Sequence, residues 1–197
     1  MVPGDAVGRE PAGPSAAVAP MPAGGPARPA KRPATDVERR ALASSLRLRI
    51  LRMTLDEALT NKEIAQRLGR DPATVLHHVR TLVDTGFLLA EPVRPGPRGS
   101  RERPYRATRL SWELDTGHED AAAGAEAMAE AFLEELRAAG WQTAGLTRLG
   151  LRLTDAERDE LRERLAAVLE EFAARPPSEG GRPWSVFLAV HPDASRD

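Results

Sequence analysis

The chain has 197 residues, enough for one domain of ordinary size or two small ones. It contains no cysteine, which excludes disulfides and thiolate-based metal or redox sites. The formal net charge of −1 conceals an uneven distribution: +2 over residues 1–35, +6 over residues 36–110 and −9 over residues 111–197. A basic segment joined to an acidic one suggests that the basic part faces a polyanion, although two solvated surfaces of unequal charge are the plainer interpretation.

Residues 1–35 contain 8 of the 17 prolines, several glycines and few large apolar side chains. Such a segment buries too little area to offset the entropy of ordering, so we expect a disordered tail. It has no apolar core of the kind found in signal peptides, and no run in the chain approaches the roughly 18 apolar residues that span a bilayer. We therefore expect a cytoplasmic protein with no membrane partner.

Order is expected to begin at Asp36, which we predict to be the N-cap of one long helix over residues 36–58. Leu42, Leu46 and Ile50 recur four residues apart, as on the apolar face of an amphipathic helix. Several arginines occupy the other faces of this segment. The helix is therefore predicted to pack on one side and to face solvent on the other.

A helix-turn-helix is predicted over residues 60–86. Thr60 and Glu63 have the S/T-x-x-E spacing of a capping box, which starts a helix. Gly69 ends that helix, because the residue after a helix often needs a positive φ, which glycine adopts without a Cβ clash. The aspartate and proline at residues 71–72 then cap and open a second helix.

The second helix, over residues 72–85, is predicted to present one face to the core and the other outward. Projected at 100° per residue, Val75, Val79 and Leu82 fall on one side and must be buried. His78 lies at the edge of that side and is predicted to be packed and hydrogen-bonded. The outward side is small at its N-terminal end and rich in donors, which suits contact with base edges and phosphates, with an ordinary solvated face as the alternative. The candidate DNA-binding residues of this helix are Ala73, Thr74, His77, Arg80 and Thr81.

The extended segments on either side of a turn-rich tip at residues 94–100 predict a β-hairpin. Arginines dominate this hairpin, and a merely solubilising loop would more often mix the two signs, as only Glu102 does here. Clustered arginines repel one another unless an anion lies between them, so a phosphate backbone or the minor groove is the expected partner. The candidate DNA-binding residues of the hairpin are Arg94, Arg98, Arg101, Arg103 and Arg106.

Residues 43–110 resemble the arsenic-repressor-like (ArsR-like) winged helix-turn-helix family of bacterial transcription factors. The resemblance is carried by LRLRIL at 46–51, EIAQRLG at 63–69, PATV at 72–75, HV at 78–79 and LVDTGFL at 82–88. It implies a homodimer that binds an inverted-repeat operator in double-stranded DNA, usually as a repressor. Metal-sensing members of the family use sites rich in Cys and His. Because this chain has no cysteine and its four histidines have no chelating spacing, we expect no metal and no cofactor.

Residues 113–197 are predicted to form a small acidic α+β unit for dimerisation or sensing. A capping box at Thr154 and Glu157 opens one of its helices, which closes before the proline pair at 176–177. The alternating leucines at 149–153 and the apolar segment 184–190 are predicted to be two paired strands. The helix that begins at the capping box carries an apolar stripe of Leu161, Leu165, Val168, Leu169 and Phe172. An earlier helix over 119–139 carries Ala125, Met128, Ala129, Phe132, Leu133 and Leu136 on one face.

Two interpretations of these stripes remain open. Core packing, within one chain or against a second copy, is the simpler one. A small-molecule effector pocket lined by Trp112, Trp141 and Trp184 is the other.

The predicted fold is mainly α with a β wing, divided into a tail at 1–35, a winged helix-turn-helix domain at 36–112 and the acidic unit at 113–197. The predicted function is a sequence-specific, dimeric DNA-binding repressor. The alternative is a winged-helix scaffold that binds proteins and has no specific DNA target. We expect no enzyme, since no serine lies in a GxSxG turn, no Gly-rich loop follows a strand, and the adjacent glutamate pairs point to different sides of their helices.

Overall fold

The computed structural model describes residues 31–117 and 121–196. The helices are α1 (Asp36–Leu42), α2 (Ser45–Met53), α3 (Asn61–Leu68), α4 (Pro72–Asp84), α5 (Leu110–Glu113), α6 (Ala121–Ala139) and α7 (Asp155–Ala173). The strands are β1 (Arg32–Pro33), β2 (Leu59–Thr60), β3 (Leu88–Ala90), β4 (Arg94–Pro95), β5 (Arg101–Glu102), β6 (Pro104–Ala107) and β7 (Leu114–Asp115). None of the helices in the described ranges combines the length and the apolar character that a membrane crossing requires.

Two helices, α1 and α2, replace the single helix predicted over residues 36–58. The N-cap of α1 is Thr35 and not Asp36, because Thr35 and Glu38 form a capping box: the Thr35 N–H donates to Glu38 Oε2 at 2.7 Å, and Thr35 Oγ1 accepts from the Glu38 N–H at 3.3 Å. The backbone becomes extended at Ser44, whose hydroxyl caps α2. A serine side chain offers the backbone an alternative to helical hydrogen bonds, and here that alternative divides the helix.

Residues 31–35 belong to the fold, although the tail was predicted to continue through them. β1 pairs in parallel with β7, with Arg32 opposite Leu114. The Arg32 guanidinium donates to Glu38 Oε1 at 2.5 Å and to Glu38 Oε2 at 3.0 Å. The bond from Arg32, followed by the bonds from Thr35, lowers the pKa of Glu38 to about 2. The rest of the predicted tail, residues 1–30, lies outside the described residues.

The predicted helix-turn-helix is confirmed in α3 and α4. The Thr60 N–H donates to Glu63 Oε2 at 2.7 Å, and Thr60 Oγ1 accepts from the Glu63 N–H at 3.2 Å, which completes the capping box of α3. Gly69 ends α3 with φ at 61°, in the left-handed region. The chain then enters α4 at Pro72 after one N-cap residue, Asp71.

β6 is the central strand of a three-stranded antiparallel sheet with the order β2–β6–β3. Leu59 of β2 lies opposite Tyr105, and Leu88 of β3 lies opposite Ala107. The hairpin continues beyond this sheet as β4 and β5, joined by a single 3-10 turn at Pro97–Gly99. This is the predicted wing, so the winged helix-turn-helix fold is confirmed.

One apolar cluster holds α1 to α4 and the sheet together. Its largest fully buried side chain is Phe87, directly after α4, and Ile50 and Ile64 from α2 and α3 have no exposed surface. The buried members of the cluster are Ala34, Ala41, Leu42, Ile50, Leu51, Leu59, Ile64, Ala65, Leu68, Val75, Val79, Leu82, Phe87, Leu88, Ala107 and Leu114. Every one of them lies between residues 34 and 114, so the core is formed by the predicted winged domain together with Ala34 and Leu114 from the short segments that flank it.

The prediction of two paired strands at 149–153 and 184–190 is wrong, because residues 121–196 contain no strand. Leu149 is 74% exposed and Trp184 is 78% exposed. Alternating apolar residues fix the face of a strand only when its backbone has an edge to pair with, and these two segments do not pair with each other. Residues 121–196 are therefore helical with irregular segments, and the only strand in the described part of the C-terminal unit is β7.

Helix α6 is docked on the winged domain, where it packs against α1 and α2. Glu134 accepts a hydrogen bond from the Arg49 guanidinium of α2. Phe132 stacks on Phe187 of the C-terminal segment, with ring centroids 4.7 Å apart. The buried residues of α6 are Ala127, Ala131 and Leu136. The face predicted for this helix is thus only partly correct, because Leu136 is buried but Met128 is 54% exposed.

Helix α7 begins at the predicted capping box, in which the Thr154 N–H donates to Glu157 Oε2 at 2.8 Å. It has no buried residue, although it carries the apolar stripe described above. Phe172 at its end is 59% exposed, and Val168 is 47% exposed. The stripe therefore has no complete partner surface among the residues described.

Candidate nucleic-acid interface

The start of α4 is fixed by two local contacts. Asp71 Oδ1 accepts from the N–H groups of Ala73 and Thr74 at 2.9 and 3.1 Å, which satisfies two amides that the helix itself leaves free. Asn61 at the start of α3 donates through Nδ2 to the Pro72 carbonyl at 2.9 Å. The second contact ties the two helices together across the turn, so the N-terminal end of α4 has a defined position.

Helix α4 is divided into a buried and an exposed face as predicted. Val75, Val79 and Leu82 have no exposed surface, because they pack into the apolar cluster. Ala73, Thr74, His77 and Arg80 are exposed on the opposite side. Thr81 is half-buried, and its hydroxyl donates to the His77 carbonyl at 3.1 Å. Among the described residues, Thr74 and Arg80 form no side-chain hydrogen bond or ion pair. His77 contacts the ring of His78, and Thr81 is bonded to its own helix.

His78 lies at the boundary of the core, where it was predicted. Its Nδ1 atom is buried and has no hydrogen-bond partner among the described residues, so the predicted hydrogen bond of this atom is missing. Burial, followed by the positive charge of Arg47 and by His77, lowers the pKa of His78. The neutral ring is thereby favoured, and His78 is a packing residue and not part of the exposed face.

The wing is pinned to α3 by Arg94. Its guanidinium donates to both carboxylate oxygens of Glu63, at 2.8 and 3.0 Å. Burial alone would raise the pKa of Glu63, but the bonds from Thr60 and the charges of Arg94 and Arg67 lower it. Glu63 therefore caps α3 and binds the wing at once. The sequence shows only the first role, since a partner 31 residues away leaves no local signal.

Arg106 also points back to its own domain. Its Nε donates to Glu91 Oε1 at 2.5 Å, and its Nη1 donates to the Asp56 carbonyl at 3.0 Å. The expectation that the wing arginines need an external anion is thus wrong for Arg94 and Arg106, because internal carboxylates neutralise both. These two residues position the hairpin.

Arg101 and Arg103 are the wing arginines left available for an external anion. Both are exposed, and neither forms an ion pair or hydrogen bond within the described part of the chain. The side chain of Arg98 is not among those described. Two further exposed cations are not among the predicted DNA-binding residues: Lys62 in the first turn of α3 and Arg70 in the turn between α3 and α4. Lys62 lies inside the capping box of Thr60 and Glu63, and Arg70 directly precedes the N-cap Asp71, so a basic residue within or next to a capping signal is the pattern that predicts them.

Exposed cations without an internal partner among the described residues lie on α3, α4, the turn between them, and the wing at Arg101 and Arg103. Over the described residues no three His, Asp or Glu side chains are grouped so as to hold a metal ion. His77 and His78 meet edge to face, with ring centroids 5.7 Å apart. The arrangement can therefore bind a polyanion through guanidinium and ammonium groups, and can add side-chain donors from the exposed face of α4.

The family model described as a helix-turn-helix domain matches residues 42–91. Reduced HlyU from Vibrio cholerae is 22% identical, with 49% of this chain and 84% of that chain covered and a TM-score of 0.31. A mutant of Lactococcus lactis ZitR in apo form is 22% identical over 66% of this chain and 83% of that chain, with a TM-score of 0.32.

A third structure, wild-type Lactococcus lactis ZitR in complex with DNA, is 20% identical over 65% of this chain and 74% of that chain, with a TM-score of 0.31. No curated protein sequence matches the chain.

Proposed function

We propose that the protein is a sequence-specific DNA-binding transcriptional regulator of the ArsR-like winged type, on the basis of the helix-turn-helix domain matched over residues 42–91 and the wing that follows it. In this proposal α4 lies in the major groove and the wing, residues 94–106, contacts the phosphate backbone or minor groove. The protein acts in the cytoplasm as a homodimeric repressor on an inverted-repeat operator. It is not an enzyme, and it binds DNA without a metal or cofactor.

The observation that carries the proposal is the exposed face of α4. Arg80 and His77 are exposed on a helix whose opposite face is fully buried and whose first turn is clamped to α3. A rigid helix with free long donors is what direct readout of bases requires, because an arginine can form two hydrogen bonds to one guanine. Ala73 at the N-terminal end adds no bulk between the helix and a groove.

Homodimerisation is supported by large apolar side chains that the single chain leaves exposed. We call them the open apolar surface: Met128, Leu133, Trp141, Leu146, Leu149, Leu151, Leu153, Val168, Val186, Leu188 and Val190. The exposures of these side chains lie between 37% and 74%, and large apolar side chains left in water in such number are typical of a surface that binds another chain. A second copy of the chain supplies a matching apolar surface by symmetry.

The dependence of DNA affinity on salt tests the proposal. Duplexes selected from fragments of the source genome are titrated with the full chain at 50 and 200 mM salt, with fluorescence anisotropy as the readout. If about four phosphates are contacted, the affinity falls about 100-fold between these concentrations. Each of Arg101→Ala and Arg103→Ala is expected to reduce the slope of log affinity against log salt by about 1.

Arg164→Ala is the matched control, since Arg164 is an exposed arginine of α7 and pairs with Glu160. It is expected to leave the slope unchanged. Failure to select any duplex, or binding that does not respond to salt, would favour the protein-binding scaffold and contradict the proposal.

A further inference from the structure

An open cavity of about 480 Å³ lies where the winged domain meets the C-terminal unit. Its walls come from the end of α2 and the turn after it, from Arg109 directly before α5, and from the end of α7 with the segment that follows. The volume falls in the range of about 300–1,000 Å³ that is usual for small-molecule sites. The lining residues that carry the inference are Arg52, Asp56, Arg109, Phe172, Arg175 and Trp184.

Three guanidinium groups line the cavity. Each has one carboxylate neighbour: Asp56 for Arg109, Glu135 for Arg52 and Glu171 for Arg175. The Arg109 guanidinium approaches Asp56 only to 3.8 Å, and that of Arg52 approaches Glu135 only to 3.6 Å. Both distances exceed a hydrogen bond, so two of the three guanidinium groups retain donors that no described residue satisfies. An anion in the cavity would satisfy them.

Arg109 is held in an unusual backbone conformation. Its φ is 65°, and it is the one residue other than glycine with positive φ in the described ranges. The turn is fixed from both sides, because the Thr108 hydroxyl donates to the Gly86 carbonyl at 2.8 Å and the Trp112 N–H donates to the Arg109 carbonyl at 2.9 Å. Strained residues that their surroundings hold in place cluster at binding sites. Here the strain belongs to a residue whose side chain lines the cavity.

The other walls are apolar and aromatic. Trp184 is 78% exposed and Phe172 is 59% exposed, although both are rings that normally gain from burial. The Arg175 guanidinium lies over the Phe172 ring, 3.8 Å from its centroid, and also pairs with Glu171. Prolines complete this wall. An inorganic anion would satisfy the guanidinium groups but would leave these rings exposed.

We propose that this cavity binds a small organic acid in which a carboxylate is joined to an apolar, ring-bearing body. The carboxylate bridges Arg52 and Arg109, whose planar donor groups match it, and the ring covers Phe172 and Trp184. Binding draws the Arg109 guanidinium away from the Asp56 carboxylate. The Asp56 carbonyl also accepts a hydrogen bond from Arg106 of β6, which connects the cavity to the wing. An effect on DNA affinity through this connection rests on the proposed function, but binding of the acid does not.

Calorimetry on the full chain without DNA tests this inference. The probes are benzoate, phenylacetate and 3-phenylpropionate, each compared with its neutral amide, and acetate and inorganic phosphate are titrated separately. At least one aryl carboxylate is expected to bind saturably and at least 10-fold more tightly than its amide and than acetate or phosphate. Absence of binding by all three acids, equal binding of acid and amide, or equal binding of phosphate would overturn the proposal.

Variants assign any binding to the cavity. Arg52→Gln and Arg109→Gln are each expected to weaken the carboxylate at least 10-fold, and Arg164→Gln, outside the cavity, is expected to bind it like the parent chain. Trp184→Ala is expected to weaken binding at least 3-fold. This variant should fold normally, because a side chain that is 78% exposed contributes little to packing. Unchanged affinity in all three cavity variants would place the ligand elsewhere and contradict the inference. Because DNA is absent, neither result bears on DNA binding.

Discussion

The winged domain and the C-terminal unit contain similar amounts of helix but treat their apolar residues in opposite ways. In the first, short helices and strands bury a common cluster around Phe87. In the second, the 19-residue helix α7 buries none of its residues completely. An amphipathic stripe thus predicts a helix without predicting what covers it. The winged domain buries its apolar residues against one another, whereas the C-terminal unit leaves many of its large apolar side chains exposed.

The largest expected difference between the two regions is the response to losing one phenyl ring. Phe87→Ala is expected to lower the free energy of unfolding by about 3–5 kcal/mol, because it opens a cavity in a sealed core. Phe172→Ala, at a ring that is 59% exposed, is expected to change it by less than about 1 kcal/mol. Urea denaturation of both variants measures the contrast. Equal losses would show that α7 is buried in the native protein as thoroughly as the winged core.

Charges placed on the open apolar surface are expected to separate the two copies. Leu188→Lys should raise the dimer dissociation constant at least 10-fold, which corresponds to about 1.4 kcal/mol, because a buried cation would have no partner. Val37→Lys, on the exposed side of α1 in the winged domain, is the control. Sedimentation velocity over a concentration series gives both constants. Dissociation caused by the control alone would move the interface to the winged domain.

Lowering the pH is expected to destabilise the winged domain by protonating Glu38. Its pKa of about 2 lies below the ordinary value of 4.5, so the ionised carboxylate stabilises the fold. That stabilisation is complete above about pH 4.5 and is lost as the pH falls toward 2. Glu38→Gln should therefore be less stable than the parent chain by about 1–2 kcal/mol at pH 6, with the gap closing by pH 2. Denaturation at several pH values measures the gap, and a constant gap would exclude the carboxylate charge as its cause.

The smallest effect is expected within the wing. Arg94→Ala removes the ion pair with Glu63 and should lower the free energy of unfolding by no more than about 1 kcal/mol, since both partners are partly exposed. Arg103→Ala, which removes an unpaired arginine, should leave it unchanged. Urea denaturation distinguishes the two. A loss for Arg103→Ala as large as that for Arg94→Ala would contradict the division into positioning and free wing arginines.

The same division explains what could be predicted from the sequence. The helix-turn-helix followed from local signals, because Thr60, Gly69 and Asp71 each act within a few residues of their own position. The break at Ser44 was missed, since an apolar period continues across it and conceals the new cap. In the C-terminal unit the alternating leucines at 149–153 predict a strand that the structure does not contain. The local sequence does not indicate whether another strand is available to pair with this segment.

The candidate interface shows the same limit. The exposed face of α4 followed from helical geometry, because its opposite face had to be buried. The internal partners of Arg94 and Arg106 are distant in sequence, so a count of arginines overstated the charge that the wing offers to DNA. Long-range ion pairs depend on register and docking, which no short motif specifies.

The central claim, that the exposed face of α4 reads DNA sequence, is tested most directly by repeating binding-site selection with Arg80→Ala. The variant is expected to lose about 1–3 kcal/mol of affinity for the operator selected by the parent chain, and to lose the base preference at one position of each half-site. The salt dependence should change little. Unchanged affinity together with an unchanged selected motif would contradict the assignment of α4 as the recognition helix.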